Sequence, residues 1–270
     1  MPGNSTKPLI RRAEALHRQC ALVFANRLQL TPSDVHCLRV SIKELRALWQ
    51  VLKPFMAKGQ ADTASREIGR AAKQLAKARD QHVQLKTLDK RIRKAQGAEL
   101  ASLRCARDQL AAQQPEVPEQ ALLKAEIVSG FIHDRQRWHD LKLSCGKREL
   151  MHDGYGRLYR KARKCFHRAA ASGNNAEDWH RLRRWVKYLA LALPVLADDN
   201  KARALAGRYA RLARQLGDLN DLDVLATSLK QLPDKNDMST YQAIALVEQR
   251  ADVLQSKCHK KSRRLFGQKK

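Results

Sequence analysis

The chain has 270 residues, with 53 Lys+Arg against 27 Asp+Glu and a formal net charge of +26. That length suits one large domain or two compact halves, and an apolar share of 43% is too high for a disordered polycation. The composition specifies a folded, strongly basic protein whose field repels cations and concentrates polyanions such as nucleic acid, polyphosphate or an anionic membrane.

In chain order, the segment Met1 to Ile10 lacks an apolar core behind a basic start, so no secretory signal is expected. Beyond it Ala, Leu, Arg, Lys and Gln dominate, apolar residues recur at spacings of three and four, and no stretch alternates with period two. The expected fold class is all-α. Thr31-Pro32-Ser33-Asp34 caps a helix that runs to about Pro54. Gly59 precedes a long helix from about Asp62 to Gly97, and Pro115 and Pro118 mark a polar loop. Gly146, Gly154 and Gly156 punctuate the middle of the chain. Ser172-Gly173-Asn174-Asn175 is a turn before a helix ending near Asp198-Asp199-Asn200. The next helix runs to about Leu232, and Pro233-Asp234 turns the chain into the last one. The basic tail, Lys257 to Lys270, carries seven Lys/Arg in fourteen residues and reads as frayed helix followed by disorder, a solubilising segment or a polyanion arm.

The longest apolar run, Tyr188 to Ala197, is far too short for a membrane span and contains Pro194. The six cysteines form no CxxC pair, which fits free thiols in a reducing cytoplasm. Cys and His avoid metal-ligand spacing, so no metal and no cofactor are expected.

An internal echo carries the functional argument. His36-Cys37-Leu38-Arg39-Val40-Ser41-Ile42-Lys43 recurs 144 residues later as His180-Arg181-Leu182-Arg183-Arg184-Trp185-Val186-Lys187. Gln74-Leu75 with Arg79-Asp80 and Val83 recurs 141 residues later as Gln215-Leu216 with Asn220-Asp221 and Val224. Two echoes in the same order at nearly one offset imply duplication and two similar helical halves, over 7–143 and 144–266.

On a helix, His36, Arg39, Lys43 and Arg46 fall within an arc of about 80°, along roughly 15 Å of axis. Leu38, Ile42, Leu45, Leu48, Trp49 and Leu52 occupy a separate apolar arc that should face a core. His180, Arg183 and Lys187 repeat the stripe with Arg184 beside it, and Leu182, Val186, Leu189 and Leu193 repeat the apolar face. Like charges at this spacing repel by a few tenths of a kcal/mol per pair, roughly, and no acid interleaves to offset them. The following helices extend the pattern. Arg70 and Lys73 step along one, with Arg66 and Lys77; Arg211 and Arg214 step along its counterpart, with Arg208. Arg157 and Arg160 begin a third run, continued by Arg163 and Lys164, with Tyr155 and Tyr159 interleaved. Trp49 and Trp185 read as core residues, and Asp218, Asp221 and Asp223 as capping and ion-pairing residues rather than a Mg²⁺ cluster. Asp80 and Asp221 are the expected partners of the two motif histidines if those are structural.

The paired H-x-x-R-x-x-x-K helices, with Leu216-Gly217-Asp218-Leu219-Asn220-Asp221-Leu222-Asp223, resemble the CHAD family, the conserved histidine α-helical domain. The resemblance runs from about Lys7 to Phe266, so that 1–270 reads as a single CHAD-like domain without the triphosphate-tunnel domain of some members. It implies two four-helix bundles related by a pseudo-two-fold, with a basic channel between them. It further implies inorganic polyphosphate as partner, no catalytic residues, and frequent association with polyphosphate granules. His36, Arg39, Lys43 and Arg46 match the first motif; His180, Arg183 and Lys187 match the second. Ala190 stands where an arginine like Arg46 is expected, and Arg184 can partly compensate.

Polyphosphate binding asks for a rigid track of cations: arginine forms bidentate hydrogen bonds to phosphate oxygens, and lysine acts as a point charge. The alternative is a generic polyanion or nucleic-acid binder. The charge permits it, but aromatics are only 5% and no helix-turn-helix pattern is present, so base readout is not expected. An enzyme is not expected either, since no Gly-rich phosphate loop and no nucleophile constellation is visible.

Overall fold

The computed structural model describes residues 6–25, 30–77, 80–112, 120–172, 175–232 and 237–267. They are helical almost throughout, with no strand among them. In chain order the helices are α1 (Lys7–Ala25), α2 (Pro32–Leu52), α3 (Gln60–Lys77), α4 (Asp80–Ile92), α5 (Gly97–Ala112) and α6 (Gln120–His139). Then come a helical turn α7 (Lys147–Glu149), a π-helical turn (Leu150–Tyr155), α8 (Gly156–Ala171), α9 (Ala176–Leu196), α10 (Asn200–Leu229) and α11 (Met238–Phe266). No helix among the described residues is long and apolar enough to cross a membrane. All six cysteines are free.

The start of α2 follows from its first residues. Thr31 caps the helix with its side chain on the Asp34 N–H, Asp34 returns a bond to the Thr31 N–H, and Pro32 sits where no N–H is needed. Of the long helix expected from Asp62 to Gly97, the described residues form α3 and α4 on either side of 78–79, which lie outside them, and the helix ends at Ile92 rather than Gly97. The loops expected at Pro115–Pro118 and Pro233–Asp234 lie outside the described residues.

The chain divides into two compact units, each drawing on discontinuous segments. The first comprises Met1–Ala78, Val117–Lys164 and Arg184–Arg211. In it α1 packs on α2 and α6, and α3 packs on the same two helices, so the four close into a ring. The apolar arc of α2 fills this ring: Leu38, Ile42, Leu45, Leu48, Trp49 and Leu52 are all at most 1% exposed. Polar ties lace it at depth. Asp134 of α6, fully buried, accepts from Trp49 Nε1 at 2.8 Å and pairs with His17 Nε2 at 3.1 Å. Trp49 stacks on Trp138 with ring centroids 4.1 Å apart. Arg12 pairs with Glu44 at 2.5 Å to join α1 to α2, and Arg137 pairs with Glu67 to join α6 to α3.

The π-helical turn packs beside α2 so closely that only glycine fits at position 154. A Cβ there would lie 2.6 Å from the Val51 carbonyl oxygen. Arg157, just after it, donates from Nη2 to the Gln50 carbonyl oxygen at 2.5 Å and to Gln50 Oε1 at 2.9 Å, tying α8 to α2.

The second unit comprises Arg79–Glu116, Cys165–Arg183 and Leu212–Lys270. Its core is built from leucines of α4, α5 and α10 with one face of α11. Gln84 bonds Ser228 between α4 and α10, and Ser102 bonds Gln242 between α5 and α11. Here the basic tail departs from expectation. It is neither frayed nor detached as far as Phe266, because Cys258, Ser262 and Phe266 recur every fourth residue and are all fully buried. Phe266 and His259 both pack against Phe166. These buried residues, hidden among the charges, supply the anchoring stripe.

Candidate functional site

The first motif, the α3 and α8 cations, Arg184, Lys187 and Arg211 fall in the first unit; His180, Arg183 and Arg214 fall in the second. In the first unit, His36 is exposed and Arg39, Lys43 and Arg46 are half-buried on α2. α3 lies alongside and fixes two of these arginines through neutral acceptors: Arg39 Nη1 donates to the Ala72 carbonyl oxygen at 3.0 Å, and Arg46 Nε to Ser65 Oγ at 3.2 Å. A Cβ on Gly69 would stand 3.3 Å from the Arg46 guanidinium carbon, so the glycine leaves room for that side chain to lie along α3. Arg70 and Lys73 of α3, Arg160 of α8, Arg184 of α9 and Arg211 of α10 project into solvent.

Tyr188 links the first motif to the segment after the second. Burial pushes its hydroxyl above the usual tyrosine range, and the positive charges of Arg46 and Arg184 oppose that rise. Arg157 is different in kind. Its guanidinium is held by Gln50, and burial lowers its affinity for the proton, with Asp62 opposing and Arg160 adding to the effect. It works as a brace between helices.

Charge is distributed unevenly in this unit. Arg12, Lys53 and Arg137 each meet a carboxylate, as does Arg203. By contrast, Arg46, Arg70, Lys73, Arg160, Arg184 and Arg211 form no ion pair among the described residues. These six candidate cations differ in this from Arg157, which feels the charge of Asp62.

In the second unit, His180 is exposed, and its Nδ1 lies 2.6 Å from Asn220 Oδ1; the expected acid, Asp221, is not its hydrogen-bond partner. With Nδ1 donating to the amide oxygen, Nε2 is left as the ring's second hydrogen-bonding site. Arg183 lies over Gly217, and burial lowers its affinity for the proton while Asp221 and Asp218 counteract this. Asp218, Asp221 and Asp223 sit inside α10 rather than at a helix end, so they cap nothing. Two of them instead compensate Arg183. Arg214 is exposed. Among the described residues no group of three or more His, Cys, Asp or Glu could hold a metal ion.

Of the remaining sequence expectations, the side chains of Lys77, Arg79 and Asp80 lie outside the described residues. Trp49 is a core residue, as its face of α2 required, whereas Trp185 is only half-buried, with its ring edge-on to Tyr188. Sequence reasoning passed over the run Lys90-Arg91-Ile92-Arg93-Lys94. These cations line a cleft in the second unit with Arg250. The run is visible as five residues with four cations, but without the position of α11 nothing marks it as concave.

The chain matches the family model of the CHAD domain over residues 11–230. It shares its fold with the crystal structure of the CHAD domain from the plant Ricinus communis, with a TM-score of 0.66 at 18% identity, over 94% of this chain and 91% of that one. No curated protein matches the sequence.

Proposed function

Because the chain belongs to the CHAD family, we propose that it binds inorganic polyphosphate along its helical cation tracks and does not transform it. The observation that supports this reading is a set of candidate cations in the first unit that form no ion pair among the described residues. Six cations there have no carboxylate among the described residues, while neighbouring Arg12 and Arg137 do. A chain of phosphates supplies negative charge at regular intervals to such a row, and the held geometry of Arg46 reduces the ordering cost of binding. Release of counterions makes the affinity steeply salt-dependent. In a cell the same affinity would draw the protein to polyphosphate-rich granules.

The test is equilibrium binding of long-chain polyphosphate at low salt, competed with duplex DNA and RNA at equal phosphate content. Polyphosphate should win, and the combined Arg70→Glu, Lys73→Glu and Arg184→Glu variant should lose more than about tenfold in affinity with its helical content intact. Equal competition by nucleic acid would reduce the reading to generic polyanion binding. Shortening of the polyphosphate on incubation would replace binding with catalysis.

A further inference from the structure

The second unit contains a cleft of about 310 Å³ between the end of α4 and the facing sides of α10 and α11. That volume lies at the small end of ligand pockets, which run from about 300 to 1,000 Å³. Lys90, Arg91, Arg93 and Lys94 come from α4 and the turn that ends it, and Arg250 comes from α11. Asp218 and Asp221 of α10 are the carboxylates in the lining.

Two observations distinguish this cleft from a solvated basic surface. First, five cations face two acids, and those acids also serve Arg183 of the same unit. The closest ion pair in the cleft, Lys90 to Asp218, is a loose 4.0 Å. Second, the negative end of a helix dipole, equivalent to roughly half a charge, accounts for only part of a cationic cluster at the end of α4.

We infer that this cleft is a binding site for a compact oligophosphate group of about three phosphates, separate in its residues from the helical cation tracks. The cleft is concave, whereas a track is extended, and its volume excludes a nucleic-acid duplex. Leu222 and Leu254 give one wall an apolar surface against which a nucleoside can lie. Free inorganic triphosphate and the triphosphate of a nucleotide share the chemistry that the cations recognise.

The experiment is calorimetric titration of the full chain with inorganic tripolyphosphate and, separately, with ATP. The Arg93→Glu/Lys94→Glu variant alters two exposed side chains and is compared with a Lys73→Glu/Arg184→Glu variant of equal charge change. Tripolyphosphate or ATP should bind the parent protein and lose more than about tenfold in affinity in the cleft variant, and clearly less in the comparator. Preference for tripolyphosphate identifies an inorganic ligand, and preference for ATP a nucleotide held also by the apolar wall. Absence of binding by both, or equal losses in the two variants, overturns the assignment. Long-chain polyphosphate binding by the parent protein is scored separately, so failure of the cleft and failure of the tracks are distinguishable.

Discussion

Arg183 lies across Gly217: its Nη2 stands 3.4 Å from the position that a Cβ on the glycine would occupy. The family-like motif arginine and the glycine of the following motif are therefore one device, in which the missing side chain makes the bed for a guanidinium. Gly217→Ala should be accommodated at ordinary contact distance and gain up to about 1 kcal/mol of helix propensity. Gly217→Leu should displace Arg183 from Asp218 and Asp221, lowering both the melting temperature and polyphosphate affinity. A leucine variant identical to the parent in both measurements would refute the coupling.

Gly154 presents a harder constraint. Its neighbour at 2.6 Å is the backbone oxygen of Val51, which cannot swing aside as a side chain can. Gly154→Ala should destabilise the protein by about 2–4 kcal/mol in urea unfolding, despite the better helix propensity of alanine.

The buried Asp134 should prove costly to remove. Asp134→Ala leaves Trp49 Nε1 and His17 Nε2 without their shared partner inside the core, an expected loss of about 3 kcal/mol or more. Glu177→Ala, which breaks the exposed helix-surface pair with Arg181, should cost less than about 0.5 kcal/mol. Chemical denaturation of the two variants gives the comparison directly.

Asp223 makes stability depend on pH. Burial, with repulsion from Asp252, pushes its carboxyl up to about 6 in the folded chain, from 3.8. The folded state therefore holds a proton that the unfolded state releases between those values. Its contribution is fully present below the lower value and is lost as pH rises through the upper one. Asp223→Asn should melt like the parent at pH 3 and be more stable above pH 7, by about 1 kcal/mol after allowance for partial solvent exposure. A difference independent of pH would exclude this origin.

Much of the local structure was legible because its causes are local. Thr31 and Asp34 marked a helix start through reciprocal bonds three residues apart, and the spacing of Leu38, Ile42, Leu45 and Trp49 gave the buried face of α2. The stripe of Arg39, Lys43 and Arg46 was visible for the same reason. What determines the surroundings of those residues is distant in sequence. Asp134 lies 85 residues from Trp49, and Gln50 lies 107 from Arg157, so no periodicity could show that one arginine of the third basic run braces two helices. His180 met Asn220 rather than the neighbouring acid because adjacent helical positions point about 100° apart, a rotation that an echo of residue types does not resolve. The tail misled because its charges outnumber the three residues that anchor it.

That anchoring has a kinetic consequence. A disordered basic arm would sweep a wide capture radius, seize a polyanion early and then order around it. Through Phe266 the cations of α11 have no such reach, since Cys258, Ser262 and Phe266 hold their helix in place. For these cations, capture of the polyphosphate proposed above would rest on long-range attraction by the +26 molecule, a rate that falls as ionic strength rises.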